Sequence, residues 1–201
     1  MPPGRRTPPP AGVLTAATVT EVKVDVIVLN GGSSSGKSSI AVCLQKRLAG
    51  TWLTLGIDDL IRALSHGPTD TTAGGSMEFR SDGSIRVSPA FRQAEASWYQ
   101  GLAAIARAGT RIIVDEVFLD GGDSQARLQQ ALEGITVAWV GVRCEPATAE
   151  ARELSRPDRM NGLARDQAER VHEGVRYDIT VDTTDTPSAA CATLIADTLE
   201  V

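Results

Sequence analysis

Apolar runs alternate with amphipathic segments along most of the chain. Five runs of mainly apolar, often β-branched residues have the composition of buried parallel strands, and they lie at residues 24–29, 52–57, 111–114, 136–142 and 178–182. Apolar positions recur at helical spacing between them, which predicts helices over residues 38–48, 60–64, 89–108, 123–133, 146–154, 163–172 and 188–199. Such alternation is typical of one α/β domain built on a parallel sheet.

Two segments depart from this alternation. Residues 1–21 contain five prolines and no continuous apolar run, so we expect either a disordered Pro-rich extension or an upstream start codon, with a single domain over residues 22–201. Residues 66–89 are rich in Gly, Ser, Thr and Asp. Within them, residues 77–80 and 84–87 flank Asp82 and Gly83, which predicts a β-hairpin. Ser88 and Pro89 then predict the N-cap and first residue of a long helix.

The segment after the first predicted strand has the spacing of a phosphate-binding loop, with Gly31, four intervening residues, then Gly36, Lys37 and Ser38. Glycines allow the backbone to approach phosphates closely, and the amides of such a loop point inward toward an anion. We predict that Lys37 reaches the β- and γ-phosphates of ATP or GTP and that the Ser38 hydroxyl is a ligand of Mg²⁺. The predicted nucleotide-binding residues are Gly31, Gly32, Ser33, Ser34, Ser35, Gly36, Lys37, Ser38 and Ser39.

Two aspartates follow predicted strands, at the sheet edge where ligands bind in open α/β folds. Asp115 ends an Ile-Ile-Val run and is the predicted second magnesium residue; the alternatives are a solvated acid at this position, or Glu116 in its place. Asp58 is the predicted base that accepts the proton of an acceptor hydroxyl. The alternative is that Asp58 caps the next helix, but Asp59 is better placed for that role.

Three arginines lie within eight residues, at Arg152, Arg156 and Arg159. Residues 152–163 could form a lid whose guanidinium groups neutralise the migrating phosphoryl group, with Arg152 and Arg156 in catalysis and Arg159 on the nucleotide. Acidic residues lie between these arginines. The alternative is therefore a solvated face on which the arginines form local ion pairs.

Residues 65–100 are the predicted acceptor region, because they concentrate residues suited to a small apolar or aromatic molecule. The alternative is that these side chains only fill the core. The residues concerned are Met77, Phe79, Phe91, Trp98 and Tyr99.

The overall composition excludes several other classes of protein. The net charge is −5 and the pI about 5.1, which argues against a nucleic-acid partner. No apolar stretch is long enough for a membrane helix. Three widely separated cysteines without a C-x-x-C pair indicate free thiols in a reducing cytoplasm. Since lysine occurs only at positions 23, 37 and 46, the guanine-recognition motif of GTPase switches is absent.

Several stretches together carry a family resemblance. They are Ile-Val-Leu-Asn-Gly-Gly-Ser-Ser-Ser-Gly-Lys-Ser at 27–38, Gly-Ile-Asp-Asp-Leu-Ile at 56–61, Ala-Arg-Ala-Gly at 106–109, Arg-Ile-Ile-Val-Asp at 111–115, Val-Gly-Val-Arg-Cys at 140–144, Val-His-Glu-Gly-Val at 171–175 and Val-Asp-Thr-Thr at 181–184. From Val24 onward the chain resembles chloramphenicol phosphotransferases, small P-loop kinases of antibiotic-producing actinomycetes.

The resemblance implies a P-loop fold with a five-stranded parallel sheet in the order 2-3-1-4-5, related to adenylylsulfate and shikimate kinases. It implies ATP-dependent phosphorylation of a primary hydroxyl on an antibiotic, with Asp58 as the base and Arg152, Arg156 and Arg159 in the lid. Residues 65–80 and Glu116 depart from the family pattern, so a related hydroxylated natural product is an alternative acceptor. A shikimate-type metabolic kinase and a regulatory NTPase without an acceptor remain the alternative functions, and the oligomeric state stays open.

Overall fold

A computed structural model describes residues 24–64, 77–79, 85–155 and 163–200. Within these residues the strands are β1 Val26–Asn30, β2 Trp52–Gly56, β3 Met77–Phe79, β4 Ile85–Val87, β5 Arg111–Glu116, β6 Val137–Arg143 and β7 Ile179–Asp182. The helices are α1 Lys37–Arg47, α2 Ile57–Ala63, α3 Pro89–Arg107, α4 Gly122–Ala131, α5 Pro146–Leu154, α6 Leu163–Arg170 and α7 Ser188–Leu199. The predicted extension at residues 1–21 lies outside the described residues.

Five strands form one parallel sheet in the order β2-β5-β1-β6-β7. Without the two hairpin strands, this is the expected order 2-3-1-4-5, so the predicted fold class is confirmed. The predicted hairpin is also present, because β3 and β4 pair antiparallel with Met77 opposite Val87. None of the described helices is both long and apolar enough to cross a membrane.

The two faces of the sheet pack against different helices. Alternate residues of β1 point to opposite sides, as the pleat of a strand requires. Ile27 and Leu29 face α1 and α7, whereas Val26 and Val28 face α3 and α4. Every side chain of β1 is buried, so the strand that leads into the phosphate loop lies at the centre of the core.

The start of α2 differs from the prediction. The helix begins at Ile57 and its N-cap is Gly56, whereas Asp59 is the third helical residue and accepts a hydrogen bond from the Gly56 amide at 2.8 Å. Asp59 is therefore not the N-cap residue, although its carboxylate does cap the helix. The cap is a glycine for a steric reason, since a Cβ at Gly56 would lie 2.2 Å from the main-chain oxygen of Asp115.

The long helix α3 begins as the sequence predicted. The Ser88 hydroxyl accepts a hydrogen bond from the amide of Phe91 at 3.2 Å, and Pro89 occupies the first helical position. This helix packs on the face of the sheet that Val26 and Val28 form. Its Phe91 packs against residues of both the hairpin and α2.

The side chain of Asn30 connects three loops at the C-terminal edge of the sheet. Its Oδ1 accepts a hydrogen bond from the amide of Phe118 at 2.9 Å, and its Nδ2 donates to the carbonyl of Val171 at 2.8 Å and to the Tyr177 hydroxyl at 2.6 Å. Asn30 is 1% exposed, so these bonds form away from water, where an unmade hydrogen bond is costly. The loops after β1, β5 and α6 are thereby held in fixed relative positions.

His172 extends this network and is held neutral. The Tyr177 hydroxyl, which accepts a hydrogen bond from Asn30, also forms a hydrogen bond with Nδ1 of His172, at 2.6 Å. Burial, assisted by the positive charges of Arg143 and Lys37, lowers the pKa of His172 from 6.5 to about 4. Burial also raises the pKa of Tyr177 to about 12.

The lowered pKa of His172 predicts that the folded protein loses stability as the pH falls. Between pH 6.5 and 4 the unfolded chain protonates this imidazole and the folded chain does not, so folding is destabilised as the pH falls. The shift corresponds to about 3 kcal/mol at most. In His172→Gln this contribution is absent, and the difference in unfolding free energy between the two proteins should narrow toward pH 4. Urea denaturation at pH 7, 5.5 and 4.5 measures the unfolding free energy of both proteins. A difference between the two proteins that stays constant with pH would contradict the assignment.

Candidate functional site

A cavity of about 530 Å³ opens at the C-terminal edge of the sheet. The phosphate loop, α2, the hairpin, the end of β5 and α6 all contribute to its lining. The lining residues are Ser33, Ser34, Ser35, Gly36, Lys37, Ser38, Ser39, Thr54, Gly56, Ile57, Asp58, Asp59, Ile61, Arg62, Met77, Ile85, Asp115, Val117, Leu119, Leu163 and Gln167.

The phosphate loop adopts a tight turn around its lysine. Ser34 and Gly36 have positive φ angles of 57° and 89°, and α1 starts directly afterwards at Lys37. Lys37 is 7% exposed, donates a hydrogen bond to the Gly32 carbonyl at 2.9 Å and lies 4.0 Å from the Asp115 carboxylate. A buried ammonium group at a helix N-terminus makes this loop suitable for an anion.

The loop also contains buried hydroxyl groups without partners. Among the described residues, the hydroxyls of Ser33, Ser34 and Ser35 are shielded from solvent and make no hydrogen bond. Buried hydroxyls are normally paired, and phosphate oxygens at this position would accept hydrogen bonds from them. The loop therefore fits a nucleoside triphosphate. Of the predicted residues, Ser33 to Ser39 line the cavity, whereas Gly31 and Gly32 are not part of its lining.

Ser38 and Asp115 come together at the floor of the cavity. The Ser38 hydroxyl donates to Asp115 Oδ2 at 2.6 Å, although the two residues are 77 positions apart. Both groups offer the oxygen ligands that Mg²⁺ prefers. No group of three or more His, Cys, Asp or Glu side chains suited to a metal occurs among the described residues. The donor set therefore fits a magnesium ion bound mainly by phosphate oxygens and water, with few protein ligands.

Glu116 follows Asp115 but points to the opposite face of the sheet. It is completely buried on the side of α3, where burial raises its pKa well above the usual 4.5 and the charges of Glu95 and Asp115 add to the effect. Glu95 is itself paired with Arg92 and Arg127. Because Glu116 faces away from the cavity, its placement supports Asp115 over Glu116 as the magnesium residue.

Asp58 lines the same cavity as the phosphate loop. It is the second residue of α2, and its side chain is exposed at the cavity wall. Its apolar surroundings include Ile57, Ile61 and Met77, which also line the cavity. The two halves predicted from distant parts of the sequence, a phosphate loop and a carboxylate at the next strand end, therefore share one cavity.

The predicted aromatic wall is only partly present. Met77 lines the cavity, but Phe91 and Tyr99 are buried in the core and Trp98 packs against it, as the alternative interpretation expected. The side chain of Phe79 and residues 65–76 and 80–84 lie outside the described part of the chain. The described acceptor end is aliphatic rather than aromatic.

Of the three predicted lid arginines, only Arg152 lies in the part of the chain that the structure describes. Arg152 does not belong to the cavity lining of the described residues; its guanidinium group donates to the carbonyls of Thr183 and Thr184 at 2.7 and 3.3 Å. Its contact with a phosphoryl group stays a prediction, whereas these contacts anchor the turn after β7. Arg156 and Arg159 lie outside the described residues.

Two residues at the phosphate loop had no role in the sequence-based prediction. Gln167 of α6 accepts a hydrogen bond from the amide of Ser33 at 2.8 Å, and the Thr183 hydroxyl donates to the carbonyl of Ser35 at 2.6 Å. Thr183 lies in a stretch that carries the family resemblance, but neither residue belongs to a motif whose spacing indicates this contact.

Three comparisons with known proteins agree with this geometry. Residues 24–200 match the family described as chloramphenicol phosphotransferase-like protein. Two Mycobacterium tuberculosis proteins, from strains CDC 1551 and H37Rv, are each 32% identical to this chain. The alignment covers 81% of the chain and 76% of each relative, and both are named as candidate O-phosphotransferases.

Solved structures share the fold at low sequence identity. A sugar kinase from Janibacter sp. is 14% identical, with a TM-score of 0.64 over 89% of this chain and 96% of its own. The tunicamycin resistance protein of Deinococcus radiodurans is 17% identical, with a TM-score of 0.60 over 89% and 97%. Shikimate kinase from Acinetobacter baumannii is 15% identical, with a TM-score of 0.56 over 88% and 93%. At these identities the similarity establishes the fold alone. Family, fold and phosphate loop together lead to one conclusion: the chain belongs to the chloramphenicol phosphotransferase-like family and is a P-loop kinase of small molecules.

Proposed function

We propose that this protein transfers the γ-phosphoryl group of ATP to a hydroxyl of a small, uncharged, largely apolar molecule, with chloramphenicol as the first candidate. The observation that supports the proposal is the shared cavity of about 530 Å³, which both the phosphate loop and Asp58 line. In-line phosphoryl transfer requires the donor phosphate and the acceptor hydroxyl to share one site.

Each half of the cavity has a defined task in this reaction. Asp58 orients the acceptor hydroxyl and takes its proton as the oxygen attacks the γ-phosphorus, while the bond from that phosphorus to the departing ADP breaks. Lys37 stabilises the negative charge on the transferring group. Ser38 and Asp115 would hold Mg²⁺, which when bound neutralises phosphate charge. We assign the remaining charge stabilisation to the lid arginines Arg152, Arg156 and Arg159, as the family resemblance implies.

The lining of the acceptor end favours an uncharged molecule. The uncharged side chains that α2 and the hairpin contribute to the lining are aliphatic: Ile57, Ile61, Met77 and Ile85. The cation among the described lining residues there, Arg62, is paired with Asp59. An acceptor with a carboxylate or a phosphosulfate group would need a positive partner at this end, since a buried charge without one is costly. The aliphatic surroundings therefore support a neutral antibiotic-like acceptor over a shikimate-type metabolite.

Asp58→Asn tests the acceptor half. We expect kcat to fall about 10²- to 10⁴-fold, because general-base catalysis contributes on that scale, while the Kd for MgATP changes less than about twofold. Asp123→Asn is the matched control: Asp123 is also an exposed second residue of a helix, α4, and lies outside the cavity lining. Steady-state kinetics and calorimetric ATP binding measure both. Normal turnover in Asp58→Asn removes this residue from the mechanism.

An acceptor panel tests the reaction itself. With MgATP or MgGTP, we expect ADP or GDP release that depends on a neutral hydroxylated compound such as chloramphenicol, and a product heavier by one phosphoryl group in mass spectrometry. Shikimate and adenylylsulfate serve as anionic comparisons and should remain unmodified. Transfer to an anionic acceptor would identify a metabolic kinase. Nucleotide hydrolysis at a rate independent of every added acceptor would identify a regulatory NTPase.

A further inference from the structure

Ser34, at the centre of the phosphate loop, has a backbone conformation that non-glycine residues rarely adopt. Its φ angle is 57°, in the left-handed region where a Cβ crowds the main chain. Such a conformation persists only where the surroundings impose it. The structure therefore has to contain groups that hold the peptides on both sides of Ser34.

Two side chains from distant elements do this. Gln167 Oε1 accepts a hydrogen bond from the amide of Ser33, at 2.8 Å, on the preceding side. The Thr183 hydroxyl donates to the carbonyl of Ser35, at 2.6 Å, on the following side. Both bonds are buried and span more than a hundred residues of sequence.

Gln167 occupies a well-anchored position. Its helix, α6, is fixed near its start by Glu153, whose Oε1 accepts from the Ala164 amide at 3.0 Å, and just beyond its end by the bond from Asn30 to the Val171 carbonyl. The loop also packs closely here, because a Cβ at Gly32 would lie 3.0 Å from the Gln167 main chain. Gln167 is 5% exposed, so no water competes readily for the Ser33 amide.

From these contacts we infer that Gln167 is a positioning residue for the donor nucleotide: it fixes the Ser33 amide and thereby holds the loop in its phosphate-binding shape. The inference rests on the proposed function only in taking a nucleotide as the ligand of this loop. A loop already held in shape loses less conformational freedom when phosphate binds, so its affinity is higher. Gln167 acts through Ser33 and requires no contact with the acceptor.

Gln167→Met tests the role, because methionine keeps the length of the side chain and removes the acceptor oxygen. The buried Ser33 amide then has no partner, and an unsatisfied buried donor of this kind is expected to weaken MgATP binding about tenfold. Isothermal titration without an acceptor measures the Kd. In the steady state the KM for ATP should rise by the same factor, while the KM for the acceptor stays unchanged.

The matched control is Gln125→Met. Gln125 is also a buried helical glutamine, but its side chain bonds to the main chain of Arg176, at 2.9 and 2.7 Å, away from the cavity. Loss of those bonds should lower the thermal stability and leave the Kd for MgATP unchanged. If Gln167→Met loses stability to a similar extent and binds MgATP like the wild type, Gln167 is only a structural residue and the inference is wrong.

If Gln167→Met fails to fold, amide hydrogen exchange in the wild-type protein still tests the role of Gln167. In the nucleotide-free protein, amide hydrogen exchange followed by NMR should show Ser33 protected at least tenfold over an unstructured amide, because its partner is a buried side chain. Unprotected exchange at Ser33 would overturn the inference while leaving the proposed function intact. Absence of MgATP binding by the wild type would instead refute the proposed function, and the role of Gln167 with it.

Discussion

Two donated hydrogen bonds and one accepted hydrogen bond of the buried Asn30 side chain determine how the site is assembled. They join the end of β1 to the amide of Phe118, the carbonyl of Val171 and the hydroxyl of Tyr177. These partners belong to the two loops that follow β5 and α6, and displacement of either loop would leave a buried polar group unsatisfied. The free-energy penalty of such an unpaired group keeps these loops in fixed positions relative to β1.

The pleat of β5 assigns different roles to two adjacent acids. Asp115 lies on the face of α1, within 2.6 Å of the Ser38 hydroxyl. Glu116 lies on the face of α3, completely buried, and its raised pKa favours the neutral form. A change of one residue in register would exchange their faces and remove the Asp115 carboxylate from the Ser38 hydroxyl.

The acceptor end depends on a close contact between neighbouring strands. Gly56 lets the end of β2 approach the Asp115 carbonyl, and α2 starts immediately afterwards, so Asp58 follows two residues beyond the strand. The helix is capped by Asp59, which leaves the Asp58 carboxylate at the cavity wall. The same short segment thus supplies the close packing, the helix cap and the candidate base.

The amino-acid sequence by itself determined the parts of this protein that depend on local patterns. The phosphate loop, the Ser88 cap, the hairpin and the strand–helix alternation all follow from residues close together in the chain, and the family resemblance supplied the sheet order. Only the tertiary structure decided which side chains hold the loop. Gln167 and Ser33 are 134 residues apart, and Thr183 and Ser35 are 148 residues apart. Such contacts depend on how elements pack, and no local spacing encodes them.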